Sequence, residues 1–345
     1  QWKKNNEYLQ KVYSQVTQDV VKRLHNTWEA FKQRGYGFPR FKKFGQYRSF
    51  LFPQFKQNPI QENTIKLPKI GNVVINQHRP IPDGFVVKGV RVLSRARNTK
   101  WYVVVTVQAD VNVPNPPAQG RAIGIDIGLE NFLTTSDQYI VEPAYFFKDL
   151  QSKLKSLQRK VAKKKKGSKN WHKAQTKVAK LHHRISNTRK DFHFQTAHDL
   201  CDQADMIFVE DIDFRISAKG FLGKQMLDGG FGQFREILKW VCWKRGKYFD
   251  QVDHKYTSQI CPNCGTHTGK KELSERNYFC AECGYETTRD HASAQVIQQR
   301  GIASVPSDRG EWKLSVNKSA SPGETPGVYD GRGVLSGDSV LGKCR

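Results

Sequence analysis

The chain has 345 residues, too many for one ordinary core, so two or three domains are expected. Fifty-seven Lys and Arg against 32 Asp and Glu leave a net charge of +25, which points to a polyanionic partner, nucleic acid first and an anionic membrane surface second. No apolar run approaches the ~20 residues of a membrane span and no signal peptide opens the chain, so neither a membrane-spanning nor a secreted protein is expected.

In chain order, Leu9, Val12, Val16, Val20, Leu24, Trp28 and Phe31 recur at helical spacing and predict one amphipathic helix over 7–33 with a core-facing stripe. The chain opens at Gln1 inside what reads as a domain, so its natural start is expected upstream. Gln15, Gln18, Lys22 and Arg23 form the polar face of that helix, open to solvent or to nucleic acid. Residues 35–56 interleave aromatics with cations. Tyr36, Arg40, Lys42, Lys43, Tyr47 and Arg48 suit base stacking and phosphate contact, although aromatic strands also build cores. From Thr64 to Val111 the pattern is β, with a hairpin over 85–93 and 100–107 that a small antiparallel barrel would house. Residues 112–120, rich in Pro and Asn, read as a linker.

Ala122-Ile123-Gly124-Ile125-Asp126-Ile127-Gly128 then reads as a buried strand with one carboxylate in it. An unpaired buried carboxylate costs several kcal/mol, so Asp126 is expected to meet a cation or donors. Two short strands over 131–135 and 138–141 follow, and three antiparallel strands of which the first bears an acid is how an RNase H-like nuclease core begins. Residues 148–190 carry sixteen Lys or Arg and one acid, Asp149. Two thin apolar seams predict a basic helical hairpin turning at 163–170, whose second helix runs to about Cys201. Such a run is usually a solvated face. Here its self-repulsion favours nucleic-acid contact, with Lys163, Lys164, Lys165 and Lys166 at the turn.

Met206 to Ile212 is a second buried strand. Glu210 stands where its apolar run stops, and Asp211 faces the other way by alternation. Residues 214–230 read as a Gly-rich loop, 231–244 as a helix and 248–254 as a strand. Cys261-Pro262-Asn263-Cys264 and Cys280-Ala281-Glu282-Cys283, fifteen residues apart, form two CxxC pairs. Four thiolates so spaced close a tetrahedron around one structural zinc, and two disulfides are the alternative. Cys201, Cys242 and Cys344 are left unpaired, which fits a reducing compartment. Asp290 follows the ribbon, preceding a helix over 291–299. From Gly301 the composition turns to Gly, Ser, Pro and charge, and 301–345 reads as a flexible tail.

Asp126, Glu210 and Asp290 sit on separate elements, 84 and 80 residues apart. Converging carboxylates hold two divalent cations for phosphodiester hydrolysis, and Mg2+ suits an all-oxygen set. Taken singly each acid is weak, since Asp211, Asp213 and Asp250 are equally acidic.

These residues bear a family resemblance. Gly124-Ile125-Asp126-Ile127-Gly128, Val209-Glu210-Asp211 and the ribbon running into Arg289-Asp290 resemble the three RuvC motifs of the TnpB family, transposon-encoded RNA-guided nucleases related to type V CRISPR effectors. Tyr256-Thr257-Ser258-Gln259-Ile260-Cys261 and the run from Leu273 through Arg276 to Cys280 are similar as well. The resemblance covers residues 1 to about 300. Ala292 stands where the family often has Asn, and the family's first strand and helix are expected to lie outside this sequence.

The resemblance implies an α+β multidomain chain with a RuvC nuclease core, an inserted zinc ribbon, and a wedge barrel with a helical recognition segment before it. We parse it as recognition segment 1–34, truncated at its N-terminus, and wedge-like barrel 35–111, with a linker at 112–120. Then come the nuclease core 121–255 with the basic hairpin 148–200, the ribbon 256–286, a last RuvC segment 287–300 and the tail 301–345. It implies Asp126, Glu210 and Asp290 as catalytic ligands of two Mg2+, and one Zn2+ on Cys261, Cys264, Cys280 and Cys283. Arg276 and Arg289 join the candidate nucleic-acid contacts. The implied partners are a guide RNA from the transposon end, a double-stranded DNA target beside a short flanking motif, and its displaced non-target single strand. The cytoplasm of a prokaryote is the expected location. A transposase acting on transposon ends and a nuclease-inactive RNA-guided repressor are the alternatives.

Overall fold

A computed structural model describes residues 3–42, 46–110, 115–217, 220, 222–272, 275–305 and 340–344. The chain forms two compact units, Gln1–Asn112 with Leu157–His183 and Gly337–Arg345, and Val113–Ser156 with Arg184–Ser336.

In the first unit the predicted single helix is two, α1 (Glu7–Lys11) and α2 (Ser14–Arg34). Asn6 caps α1 by accepting from the Leu9 N–H, and Val12 turns extended at φ −87°, ψ 136°. The break lets Tyr13 reach Phe52, with ring centroids 5.9 Å apart. The expected core-facing stripe is also corrected: α2 buries none of its residues, and Val20 and Leu24 are exposed. Only Tyr13 and Val16 of this stretch pack on the first unit's core. The strands are β1 (Ser49–Phe52), β2 (Ile60–Gln61), β3 (Thr64–Leu67), β4 (Gly71–Asn76), β5 (Val86–Arg95) and β6 (Lys100–Gln108). Alternating Val87, Val90, Val92, Val103 and Val105 face inward on the β5–β6 hairpin, each worth roughly 1.5–3 kcal/mol when fully buried.

The second unit begins with β7 (Ala122–Asp126), β8 (Leu133–Thr135) and β9 (Ile140–Val141), successive antiparallel neighbours. The basic hairpin follows as α3 (Gln151–Ala162) and α4 (Lys169–Gln203), and each helix contributes to both units. Next is β10 (Met206–Glu210). Residues 214–230, expected as loop, contain two short helices, α5 (Phe214–Ser217) and α6 (Gly223–Gly229). The α6 helix ends on a left-handed Gly230 at φ 65°, a conformation that glycine adopts without steric cost. Then come α7 (Phe231–Lys244), β11 (Tyr248–Val252), β12 (Asn277–Phe279), β13 (Glu286–Thr288) and α8 (Arg289–Ser304).

The sheet order is β11-β10-β7-β8-β9, and β10 lies parallel to both β7 and β11. One face of this sheet packs Ile123, Ile125, Ile207 and Val209 against α4 and α7, through Leu200, Phe234, Ile237 and Val241, all at most 1% exposed. The other face takes α8. A Cβ on Gly124 would lie 2.1 Å from the Ala294 carbonyl oxygen, and one on Gly301 2.1 Å from the Phe208 ring. Strand and helix therefore approach at a distance only glycine permits.

The expected tail is corrected at both ends. Residues 301–304 finish α8, and β14 (Val340–Cys344) lies between β6 and β4, giving the order β1-β5-β6-β14-β4-β3-β2. The intervening 306–339 lie outside the described residues.

Candidate carboxylate site and four-cysteine centre

Strand geometry brings the first two acids together. β7 and β10 run parallel with Val209 opposite Ile125, so Glu210 and Asp126, the next residue on each strand, end side by side. Asp126 shares its sheet face with Gly124, and therefore looks toward α8. Asp290 stands in the first turn of α8, where the helix dipole favours a negative charge. It lies within α8, which opens at Arg289 rather than at the expected His291.

The electrostatics show the convergence. Burial, and then the negative charges of Glu210 and Asp290, push the Asp126 carboxyl well above the usual carboxylate range, against the pull of Arg289 and the Ile127 N–H. Burial raises Glu210 too, against the Thr257 hydroxyl, His254 and Arg300. A buried carboxyl raised by two neighbouring acids is poised for a cation, and Asp126, Glu210 and Asp290 all remain partly exposed. Asp211 is placed differently. Its side chain, 68% exposed, meets Arg235 at 3.4 Å and the Gln251 amide at 3.2 Å.

Sequence reasoning passed over the groups that hold these acids. The Asn131 amide donates to Asp290 Oδ2 at 3.3 Å, and its neighbour Glu130 pairs with Arg276 at 2.6 Å. The Thr257 hydroxyl donates to Glu210 Oε1. Neither Asn131 nor Thr257 carries a charge or a metal-ligand spacing that would have drawn attention to it.

The ribbon is built from two matching turns. Gly265 N–H donates to Cys261 O and Gly284 N–H to Cys280 O, both at 2.9 Å, with each glycine left-handed at φ 74° and 70°. Thr266 O and Tyr285 O accept from Cys261 and Cys280 N–H at 2.9 Å. The Cys261–Cys283 and Cys264–Cys280 sulfur pairs are each 3.6 Å apart. Four sulfurs ~2.3 Å from one zinc stand about 3.8 Å apart, so the cluster fits one tetrahedral ion. Among the described residues this is the one group of metal-ligating side chains whose ligand atoms all lie within 4.8 Å of one another. The carboxylates are thus more widely spread than the thiols. Cys280, Tyr278 and Ala292 share a small core. Tyr285 Oη donates to Gln295 at 2.7 Å and the Gln299 amide to Pro262 O at 2.6 Å, fastening the ribbon to α8.

The remaining candidates divide between the units. In the first, Gln18, Lys22, Tyr36, Arg40, Tyr47, Arg48 and Lys163–Lys166 are exposed. Lys42 and Arg23 each lie 5.5 Å from the Tyr47 ring centre, while Arg23 is also held by Asp19 at 2.6 Å. Lys43 lies outside the described residues. In the second unit Arg276 is half-exposed and Arg289 donates to Glu272 O at 2.9 Å. Among the described residues no helix is long and apolar enough to cross a membrane.

Two family models match this chain. OrfB_IS605, described as "Probable transposase", covers residues 102–219, and the Cas12f1-like TNB domain covers 231–297. A protein of Escherichia coli named "Putative RNA-guided DNA endonuclease InsQ" is 32% identical over 88% of this chain and 79% of its own. One of Streptomyces pristinaespiralis, "Putative RNA-guided DNA endonuclease", is 29% identical over 88% and 76%. A protein of Acanthamoeba polyphaga mimivirus named as TnpB-like is 25% identical over 59% and 42%. A solved Cas12f1-sgRNA-target DNA complex overlaps with a TM-score of 0.41 at 15% identity, over 78% of this chain and 74% of that one, too loosely to carry an argument. The first of the two models spans the strands of Asp126 and Glu210, and the second the ribbon and Asp290. With a 32% identical relative aligned over most of both lengths, the chain belongs to the TnpB (OrfB) family.

Proposed function

We propose that the chain is an RNA-guided DNA endonuclease whose hydrolytic site is Asp126, Glu210 and Asp290. The observation that carries this reading is the meeting of two parallel strand ends with the first turn of α8, which leaves Asp126 raised by burial and by the two other acids. Three antiparallel strands followed by two parallel ones, the order of an RNase H-like core, supports it. So do the names of the two relatives matched over most of their length.

The donor set is all oxygen and fits a hard cation. Asp126, Glu210 and Asp290 would hold two magnesium ions, which when bound supply an activated water and stabilise the leaving oxygen. The chain's own part is to aim the acids. The sheet register fixes Asp126 against Glu210, α8 sets Asp290 above them, and the four-cysteine ribbon, with zinc as a structural ion, fastens α8. The basic turn Lys163–Lys166, and Lys22, Arg40, Lys42 and Arg48, take backbone phosphate, which positions a strand without reading it. A guide RNA then supplies the specificity that such contacts lack, pairing with one DNA strand and displacing the other beside a short flanking motif. The cytoplasm of a prokaryote is where such an enzyme meets its DNA.

The test is cleavage of a plasmid by the purified chain with its copurifying RNA and Mg2+. Cutting at a site matching the RNA, lost on RNase treatment and in Asp126→Ala, Glu210→Ala and Asp290→Ala while DNA binding persists, is expected. RNase-treated protein that cuts the same site would overturn the guided reading. Asp290→Ala cutting at the native rate would overturn the site.

A further inference from the structure

The turn that opens the ribbon carries a hydroxyl aimed at the carboxylate site. Thr257 is 5% exposed and donates to Glu210 Oε1, with His254 O a second acceptor 3.2 Å away. A hydroxyl has one proton, and a carboxylate is the stronger acceptor of the two. Glu210 ends its strand on a flexible side chain, and this contact selects one orientation for its carboxylate.

The backbone is bent to put the hydroxyl there. Tyr256, immediately before, is left-handed at φ 61°, ψ 14°, a conformation that crowds the Cβ of a bulky residue and persists where the surroundings impose it. The ribbon imposes it. Gln259 O accepts from the Thr268 N–H at 2.7 Å and the Thr268 hydroxyl at 3.1 Å, and Ile260 bridges His267. Cys261, the first thiolate, is four residues beyond Thr257. The four-cysteine centre and the Glu210 carboxylate are thus joined through one short, hydrogen-bonded turn.

We propose that Thr257 is a positioning residue that holds the Glu210 carboxylate in its metal-binding orientation, and so makes the ribbon part of the divalent-cation site; this rests on the carboxylate reading above. Its role is distinct from packing. A hydroxyl that orients a ligand alters metal affinity and turnover, whereas a hydroxyl that merely closes a turn alters stability.

The experiment compares the full chain, with its copurifying RNA, as wild type, Thr257→Val and Thr257→Ser. Mn2+ binding is followed by electron paramagnetic resonance without DNA, and cleavage is titrated with Mg2+. Loss of a ligand's outer partner costs about 10–100-fold in metal affinity or activity. Thr257→Val is therefore expected to weaken Mn2+ binding about tenfold or more and to lower kcat, with KM for DNA and the zinc content unchanged. Thr257→Ser should restore both. Native Mn2+ affinity in a zinc-replete Thr257→Val protein, or in Thr257→Ala should the valine protein lose its zinc, would overturn the proposal. The parent reading is checked apart from it: Glu210→Gln that still binds Mn2+ and cleaves would sink the carboxylate site itself.

Discussion

Gly124 lies so close to Ala294 that a Cβ on the strand residue would stand 2.1 Å from the helix carbonyl oxygen and 2.4 Å from the Gln298 N–H nitrogen. Both neighbours are backbone, so neither can rotate away. The same contact sets the height of Asp290, at the start of that helix, above Asp126, two residues along that strand. Gly124→Ala should therefore force α8 off the sheet, at the upper end of the roughly 1–3 kcal/mol of overpacking. For a unit of this size that is several degrees of melting temperature, at about 2–4 °C per kcal/mol. On the proposed function, DNA cleavage should fall further than stability, since a misplaced Asp290 would no longer meet Asp126 and Glu210 even in folded protein. A Gly124→Ala chain with native melting and native cleavage would show that the close approach positions nothing.

The ribbon makes a second prediction. Cys264→Ser removes one of four thiolates, and a zinc ion held there would be a folding element as well as a bound ligand. Zinc measured by mass spectrometry should drop from one per chain toward none. Protease cleavage between residues 256 and 288 should rise, and DNA cutting should fall with them, because the turn over Glu210 and the helix bearing Asp290 both leave the ribbon. Full zinc content in Cys264→Ser protein, with the three other cysteines intact, would exclude Cys264 as a ligand.

How much of this was legible in the sequence follows from how local each cause is. The carboxylate in an apolar strand, the double CxxC and the basic hairpin each declare themselves within a few residues, because burial, metal ligation and charge repulsion act on side-chain type. The break at Val12–Tyr13 was not legible, since helical periodicity runs through it and only the distant Phe52 gives Tyr13 a reason to leave. Nor was β14, whose five residues, glycine among them, pair with a strand more than two hundred residues earlier. Short helices α5 and α6 hid in a Gly-rich stretch of weak propensity. Thr257 was quoted only as part of a motif, for a lone threonine gives no sign of what its hydroxyl faces.

Asn131 offers a third prediction. Its amide donates to Asp290 Oδ2 at 3.3 Å, so it steadies that carboxylate without neutralising it. Asn131→Asp would set a fourth acid against three. Like charges at this range oppose one another, and on the proposed function a divalent ion would have to overcome the lost orientation too. Cleavage at limiting Mg2+ should fall about tenfold or more, the range for losing a ligand's outer partner, with partial recovery at high Mg2+. A variant whose Mg2+ dependence matched wild type would show that Asn131 does not act on the site.

The last prediction concerns stability rather than chemistry. His193 is fully buried beneath the sheet, its ring 5.6 Å from those of Phe132 and Phe234, with Nε2 2.9 Å from Gly229 O. Nε2–H donates to that carbonyl, and Nδ1, buried without a partner among the described residues, stays unprotonated. Burial is the main cause that lowers this imidazole from 6.5 to about 4, with the Arg189 charge adding to it and the Gly229 bond opposing. Above pH 6.5 both folded and unfolded chains hold His193 neutral, and it contributes no pH dependence. Between 6.5 and about 4 the unfolded chain takes up a proton that the folded chain refuses, so stability falls with pH. The slope approaches about 1.4 kcal/mol per pH unit, and the total is on the order of 3 kcal/mol. Carboxylates throughout the chain titrate in the lower part of this window, so the measurement is a difference. Urea unfolding of wild type and His193→Gln, which keeps a donor for Gly229 and does not titrate, should diverge in pH dependence between pH 6.5 and 4. The variant is less stable at neutral pH, from disturbed aromatic packing, and loses less on acidification. Parallel curves for the two proteins across that window would show that His193 is not held neutral by its burial.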